Sequence, residues 1–405
     1  MKILMLGWEL PPHNSGGLGV ACLHLSKALS THGAELDFVV PYEAEHDLPY
    51  MHILHATSLD PLHRFGGTAY DSDSVELKTL ADGKMSLRDV QKKYVEFVDQ
   101  YLREVKPEVV HAHDWLTYEA GVLAKEKYGI PLVAHIHATE FDRGGMNGGN
   151  PMIHEIEYAG LLAADMILAV SEITKNIIVR KYQIPPEKIQ VVYNGFDLKS
   201  WMDGYKYDGS LCQYLDALKR DGKTIVSSVG RLTLQKGYGH FLNAAAKALK
   251  LNPNLAFVIA GDGEDRDDLL MQAAELGIAD KVIFTGFIRG REHRDVYSVS
   301  DIFVMSSVSE PFGLTALEAA HHGNALILTK QSGVGEVIWS AMKYDYWDED
   351  KLANEIVAIA ESPALMDSLR TSVSREYTKI SWDDVADKCV DAYNKVMHYT
   401  DRSER

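Results

Sequence analysis

The sequence predicts an α/β protein made of two doubly wound parallel sheets. Three features carry this expectation: the length, the character of the apolar runs, and their alternation with helical patterns. At 405 residues the chain exceeds the size at which a single hydrophobic core keeps growing, so two domains are expected. The apolar runs are short, rich in Val and Ile, and apolar on both faces, as in strands covered by helices on either side. Amphipathic stretches of helical period separate them, and the whole pattern occurs twice.

In the first half the strands fall at KILMLGW (2–8), LDFVV (36–40), VVHAHD (109–114), PLVAHIHA (131–138), MILAV (166–170) and IQVVYN (189–194). GVACLHLSKALSTHG (19–33) has the period of a helix behind the first of them. Residues 41–85 are polar, rich in His and Asp and weakly periodic, and longer than most connections. They are read as an excursion that serves function or as an insertion. The stretch 195–222 breaks the rhythm and is taken as the connector.

In the second half the strands are TIVSSVG (224–230), LAFVIAG (255–261), KVIFTGF (281–287), DIFVMSS (301–307) and ALILTK (325–330). Helical patterns lie at 238–253, 266–277 and 313–323, and the tail from Ser381 is one more amphipathic helix. The domains are placed at 1–200 and 222–379, with 380–405 as the closing helix.

Composition narrows the function. Hydrophobic residues make up 46% and charged residues 24%, as in ordinary globular chains. The net charge of -17 disfavours nucleic acid and anionic membrane as partners. Three widely spaced cysteines, Cys22, Cys212 and Cys389, form no disulfide framework and suit a reducing compartment. The start MKILMLGWELPP lacks a signal-peptide apolar core, and AGLLAADMILAV carries Asp165 in its middle. A soluble, cytoplasmic protein is expected.

Doubly wound sheets bind ligands at the carboxyl ends of their strands, and the polar clusters lie there. After the first strand, Gly16 and Gly17 immediately precede a helix. Adjacent glycines let backbone amides approach a phosphate at the positive end of a helix; the alternative is a turn needed only for packing. In GRLTLQKG (230–237), Arg231 and Lys236 leave a strand end on a short loop, where guanidinium and ammonium can share one diphosphate. An exposed surface pair is the plainer reading.

SEPFGLTALEAA (309–320) sets Glu310 and Glu318 eight positions apart. Eight helical residues rise about 12 Å, whereas glycosidase carboxyl pairs stand about 5–9.5 Å apart across one bond. Glu310 moreover precedes a Pro-Phe-Gly turn, outside the helix. The two acids therefore suit different parts of one elongated ligand. The amides of Gly313, Leu314 and Thr315 between them would face an anion. That layout fits a sugar, a diphosphate and a ribose in sequence. HAHD (111–114) and HIHATE (135–140) each put an H-x-H pair on one strand face. His111, His113, His135 and His137, with Asp114 and Glu140, also have the ligand types of a zinc or di-metal hydrolase, the rival class.

Together these residues resemble the retaining nucleotide-sugar glycosyltransferases of family 4, on the two-domain GT-B fold shared with glycogen, starch and sucrose-phosphate synthases. The resemblance spans essentially the whole chain. Its most specific elements are E-x7-E, from Glu310 to Glu318, and GR-x4-KG, from Gly230 to Gly237. SGGLG (15–19), HAHDW (111–115), IHATE (136–140), YNGFD (193–197) and AGDGEDRDDL (260–269) add support. It implies two Rossmann-like domains facing across a cleft, with the C-terminal helix crossing back to the first domain.

The resemblance also implies roles. Arg231 and Lys236 would neutralise the donor diphosphate, assisted by the amides of Gly313, Leu314 and Thr315 and by the loop at Gly16 and Gly17. Glu318 would take the ribose hydroxyls and Glu310 those of the transferred sugar. His137 matches the family's active-site histidine, and the backbone at Phe287 and Ile288 would meet the base. No cofactor or metal is implied, because Arg231 and Lys236 supply the charge a divalent ion gives elsewhere.

The expected partners are a UDP-, ADP- or GDP-sugar and a carbohydrate or small-molecule acceptor. Bacterial starch and glycogen synthases carry a lysine in K-x-G-G-L, where this chain has Asn14-Ser15-Gly16-Gly17-Leu18. That argues against ADP-glucose, and a UDP-sugar is the first expectation. The FGLT sequence points toward glucan- or sucrose-type relatives. A sugar-nucleotide epimerase or binding protein on the same architecture is the remaining alternative.

Overall fold

The computed structural model describes residues 1–14, 16–59, 76–78, 84–145, 148–198 and 210–403. The chain divides into two compact units: Met1–Gly195 with Ser381–Arg405, and Phe196–Ile380.

The first unit begins with β1 (Lys2–Leu6), β2 (Glu35–Tyr42) and β3 (His52–Leu59), followed by a small antiparallel pair, β4 (Glu76–Lys78) and β5 (Lys84–Ser86). β6 (Val109–His113), β7 (Leu132–Ile136), β8 (Met166–Ala169) and β9 (Ile189–Val191) complete it. Its main sheet has seven strands in the order β3-β2-β1-β6-β7-β8-β9, every pair parallel. β6 and β7 are buried at every position, which accounts for their unbroken apolar appearance. The C-terminal helix, Trp382–Ser403, packs in this unit's core through Val385, Ala386, Cys389 and Tyr393 and lies against the first helix, Gly17–Thr31.

The second unit holds β10 (Thr224–Val229), β11 (Leu255–Ala260), β12 (Val282–Phe284), β13 (Ile302–Met305), β14 (Ala325–Thr329) and β15 (Met342–Tyr344). The order is β12-β11-β10-β13-β14-β15, again all parallel. Alternate residues feed separate cores on its two faces. Val226, Phe257 and Ile259 join one cluster, while Ile225, Val258 and Ala260 join another with Leu215. Leu215 belongs to a helix, Ser210–Arg220, inside the stretch read as a connector. Of that stretch, residues 199–209 lie outside the described residues.

Every strand expected from the sequence is present. The segment 41–85 differs from expectation, because β3 forms in it and pairs with β2 at the sheet edge. Its interior positions are only partly buried, so HILHATSL lacks the two-sided apolar signature; residues 60–75 and 79–83 lie outside the described residues. Strand order reverses at β1–β6 in the first sheet and at β10–β13 in the second. Those switch points open a crevice at the carboxyl ends of the strands.

Where the C-terminal helix returns, Gly195 lies so close to it that an added Cβ would stand 2.6 Å from the Trp382 nitrogen. Backbone cannot give way as a flexible side chain does, so Gly195→Ala is expected to cost about 1–3 kcal/mol through overpacking. The check is a lower urea midpoint with an unchanged transition slope.

Candidate active site

The loop after β10 and the loop after β13 flank the switch point of the second sheet. They are joined by one ion pair. Lys236 Nζ donates to Glu310 Oε2 at 2.6 Å, and Ser307 Oγ donates to the same oxygen at 2.8 Å. The first loop is pinned against the second: Gln235 Nε2 donates to the Ser309 carbonyl at 3.0 Å, and Ser306 Oγ to the Lys236 carbonyl at 2.8 Å. Gly237 makes this contact possible. It sits at φ 66°, and an added Cβ would lie 2.3 Å from the Ser306 carbonyl oxygen. Glu310 is held on its other side by β14's loop, accepting from Gly333 N at 2.9 Å and donating to Gln331 O at 3.0 Å through its backbone.

Beyond Glu310 the chain turns through Gly313, at φ 111°, into the helix Leu314–His321. No side chain caps that helix, so its first amides present the positive end of the macrodipole. Glu318, one turn further in, has different partners. Tyr297 Oη donates to its Oε2 at 2.8 Å, and His293 Nε2 is 3.6 Å from the same oxygen. Arg231 is partly buried at the start of the Lys236 loop, with its carbonyl accepting from Thr233 N at 3.0 Å. Phe287 follows β12 and is exposed under the Arg289 guanidinium, 4.8 Å from the ring centroid; Ile288 packs toward the core.

In the first unit the histidines converge. His113 Nδ1 and His137 Nε2 are 2.9 Å apart, and His111 Nε2 and His135 Nδ1 are 3.2 Å apart. The rings of each H-x-H pair stack at 4.3 Å. Tyr393, from the C-terminal helix, meets His111 Nδ1 at 2.6 Å. His111, His113 and His135 are fully buried and His137 partly so. Burial drives all four imidazoles toward the neutral form, with His137 pushed down to about 3.

Asp114 fixes the turn that carries His137. Its Oδ1 accepts the His137 N–H at 2.7 Å. Its own backbone sits at φ 57°, ψ 172°, a region nearly reserved for glycine. Desolvation pushes its carboxyl up to about 7. The turn continues into a buried network in which Arg143 donates to Glu140 at 2.8 Å, to the Ala138 carbonyl at 2.9 Å and to Glu157. Gly16 caps the first helix in an extended conformation open to any residue, and Gly17 at its first position is exposed. Ser15 lies outside the described residues.

With this geometry in place, comparison with known proteins is decisive. The family description "Glycosyltransferase Family 4" matches residues 15–200, and "Glycosyl transferases group 1" matches residues 216–371. The chain belongs to the family-4 glycosyltransferases. An uncharacterized glycosyltransferase of Methanocaldococcus jannaschii is 29% identical, covering 99% of this chain and 100% of its own. A glycogen synthase of Mycobacterium tuberculosis is 28% identical over 97% of this chain and 94% of its own.

Among solved structures, a sucrose-phosphate synthase from Thermosynechococcus elongatus superposes with a TM-score of 0.79 at 19% identity, covering 98% of this chain and 99% of that one. HepE of Anabaena, in complex with UDP-glucose, gives 0.71 at 17% identity, covering 98% and 100%. These likenesses establish the GT-B fold.

For the glycosyltransferase, Lys236 and Glu310 are the predicted residues that the structure brings into direct contact. Gly313 adjoins them, since a Cβ added there would lie 3.2 Å from Glu310 Cγ. Glu318 stands apart with its own partners, as the E-x7-E spacing requires. Ser307, Tyr297, His293 and Tyr393 were not singled out from the sequence. Ser307 lies three residues before Glu310, but Tyr393 and His111 are 282 residues apart, and no local pattern links them. The H-x-H pairs do assemble, yet family membership assigns the chain to glycosyl transfer and not to the hydrolase class. Among the described residues no helix is long and apolar enough to cross a membrane.

The buried imidazoles make stability pH-dependent. An unfolded histidine titrates near about 6.5, so below that pH the unfolded chain takes up four protons that the folded cluster refuses. Asp114 and Glu157, both pushed up to about 7 by burial, act in the opposite sense, holding protons that the unfolded carboxyls release until about 3.9 and about 4.3. Four groups outweigh two. Acidification from pH 7 to 5 is expected to lower the first unit's stability, read as a falling urea midpoint across that window.

Proposed function

We propose that the chain is a retaining hexosyltransferase that moves a glucosyl group from a nucleoside-diphosphate sugar, UDP-glucose first, to a carbohydrate acceptor. The Lys236–Glu310 ion pair at the second switch point carries this reading. It joins a cation and a carboxylate close to an uncapped helix start at the carboxyl ends of the strands, which supports the reading. UDP-glucose is the ligand named for the HepE structure, and glycogen synthase is the name of a full-length relative.

In this reading Arg231 and Lys236 bind the diphosphate, with the amides of Gly313, Leu314 and Thr315 and the loop at Gly16 and Gly17. Glu310 takes hydroxyls of the transferred sugar, and Glu318 takes those of the ribose. Phe287 and Ile288 meet the base. His137, neutral and fixed by Asp114, lies beside the reacting carbon. Breaking the sugar–phosphate bond leaves positive charge on the ring and negative charge on the departing diphosphate. Preorganised cations and amides stabilise the latter as it forms. The acceptor oxygen attacks from the face the diphosphate leaves, and its proton passes to that phosphate, which preserves the anomeric configuration. Lys236 and Arg231 provide the charge that a divalent ion supplies in other transferases, so the reaction proceeds without metal. The cytoplasm, where nucleotide sugars and reduced thiols coexist, is the proposed compartment.

Lys236→Ala and Glu310→Ala are each expected to cut transfer by about 100- to 1,000-fold, the scale of one lost transition-state donor; Lys236→Ala also lowers the thermal midpoint, because it leaves the buried Glu310 carboxylate without its cation. Full activity in both variants would refute the assignment. Donor choice is read separately by thermal shift. UDP-glucose at about 100 times its dissociation constant should add about 2.7 kcal/mol of stability, more than ADP- or GDP-glucose at equal concentration.

A further inference from the structure

We propose that Cys22, His113 and His137 form a binding site for a thiophilic transition-metal ion of the zinc class, and that filling it blocks the glycosyltransferase. Three elements meet here: Cys22 in the first helix, His113 at the end of β6 and His137 just after β7. One ligand atom from each lies within 4.8 Å of the others. A thiolate with two imidazoles is a zinc donor set, with bonds of about 2.0–2.3 Å. Closing on a shared ion therefore needs side-chain shifts on the order of 1 Å.

A second observation points to a ligand. His113 Nε2 is buried and has no hydrogen-bond partner, an arrangement that polar atoms in a core rarely tolerate. Burial holds the Cys22 thiol in its protonated form, and the buried Asp114 and Glu9 act in the same direction, so an ion binds there by displacing the thiol proton. Neutral imidazoles keep the lone pairs that a metal requires.

The neighbouring trio His111, His113 and His135 also lies within 4.8 Å. It is fully buried and offers no thiol; His111 uses both ring nitrogens, on Tyr393 and His135, while Nε2 of His113 and of His135 has no partner. His137, by contrast, is partly exposed and gives an ion a way in. On binding, the thiol proton goes to solvent, a metal–sulfur bond forms, and the His113–His137 hydrogen bond is lost. The ion is a competitor and not a cofactor. Binding follows from the geometry alone, whereas inhibition rests on the role proposed for His137.

The test is to strip the full chain with chelator and titrate it with Co2+. One equivalent should bind with a thiolate-to-cobalt charge-transfer absorption, which Zn2+ then bleaches by displacement. Cys22→Ala and Cys22→Ser should both lose the band while keeping transfer activity. One equivalent of Zn2+ should lower sugar-nucleotide turnover at least tenfold in the parent and less than twofold in Cys22→Ala. Absence of the band, or a band that persists in both variants, overturns the site. A band lost in the variants, with turnover indifferent to the ion, upholds the site and counts against His137's place in the reaction.

Discussion

A buried or half-buried carboxylate is costly unless something compensates its charge. In the second unit Glu310 is nine-tenths buried, and Lys236 and Ser307 answer it on one oxygen. Much of the local architecture serves that meeting. Gly237 lets the Lys236 loop press on Ser306, Gln235 ties it to Ser309, and β14's loop clamps Glu310's backbone from behind. The consequence is a cation held in a fixed position at the carboxyl ends of the strands, with the carboxylate it compensates beside it.

The parallel sheets explain why these loops coincide. In a parallel sheet every strand ends on the same edge, and a reversal of strand order leaves two loops there with no crossover between them. In the second sheet those are the loops after β10 and β13; in the first they are the loops after β1 and β6. Asp114, at the end of β6, spends unfavourable backbone geometry to present its carboxylate to His137's amide. Strain retained at such a point is intelligible where the position of one ring matters more than local comfort.

Much of this was legible in the sequence because the informative residues are close together along the chain. Strands apolar on both faces, the GR-x4-KG loop and the E-x7-E spacing are all local patterns, and each lies where it was expected. β3 was missed because an edge strand is only partly covered and keeps polar residues at HILHATSL. β15 was missed because three residues are too few to show a period. The partners of Glu318 and His111 were illegible for a different reason. Tyr297 and Tyr393 look like ordinary inward-facing helix residues, and only the fold reveals that their hydroxyls end on titratable groups.

The first unit is discontinuous in sequence, since its last helix follows the whole of the second unit. During synthesis the ribosome must therefore make the second unit before the first can bury Val385, Cys389 and Tyr393 against its sheet. Until then the nascent first sheet has a bare flank, and His111 lacks its phenol. The histidine cluster is thus among the last parts of the molecule to reach its mature surroundings, so an unfinished chain carries it without the contact that closes it from the C-terminal helix.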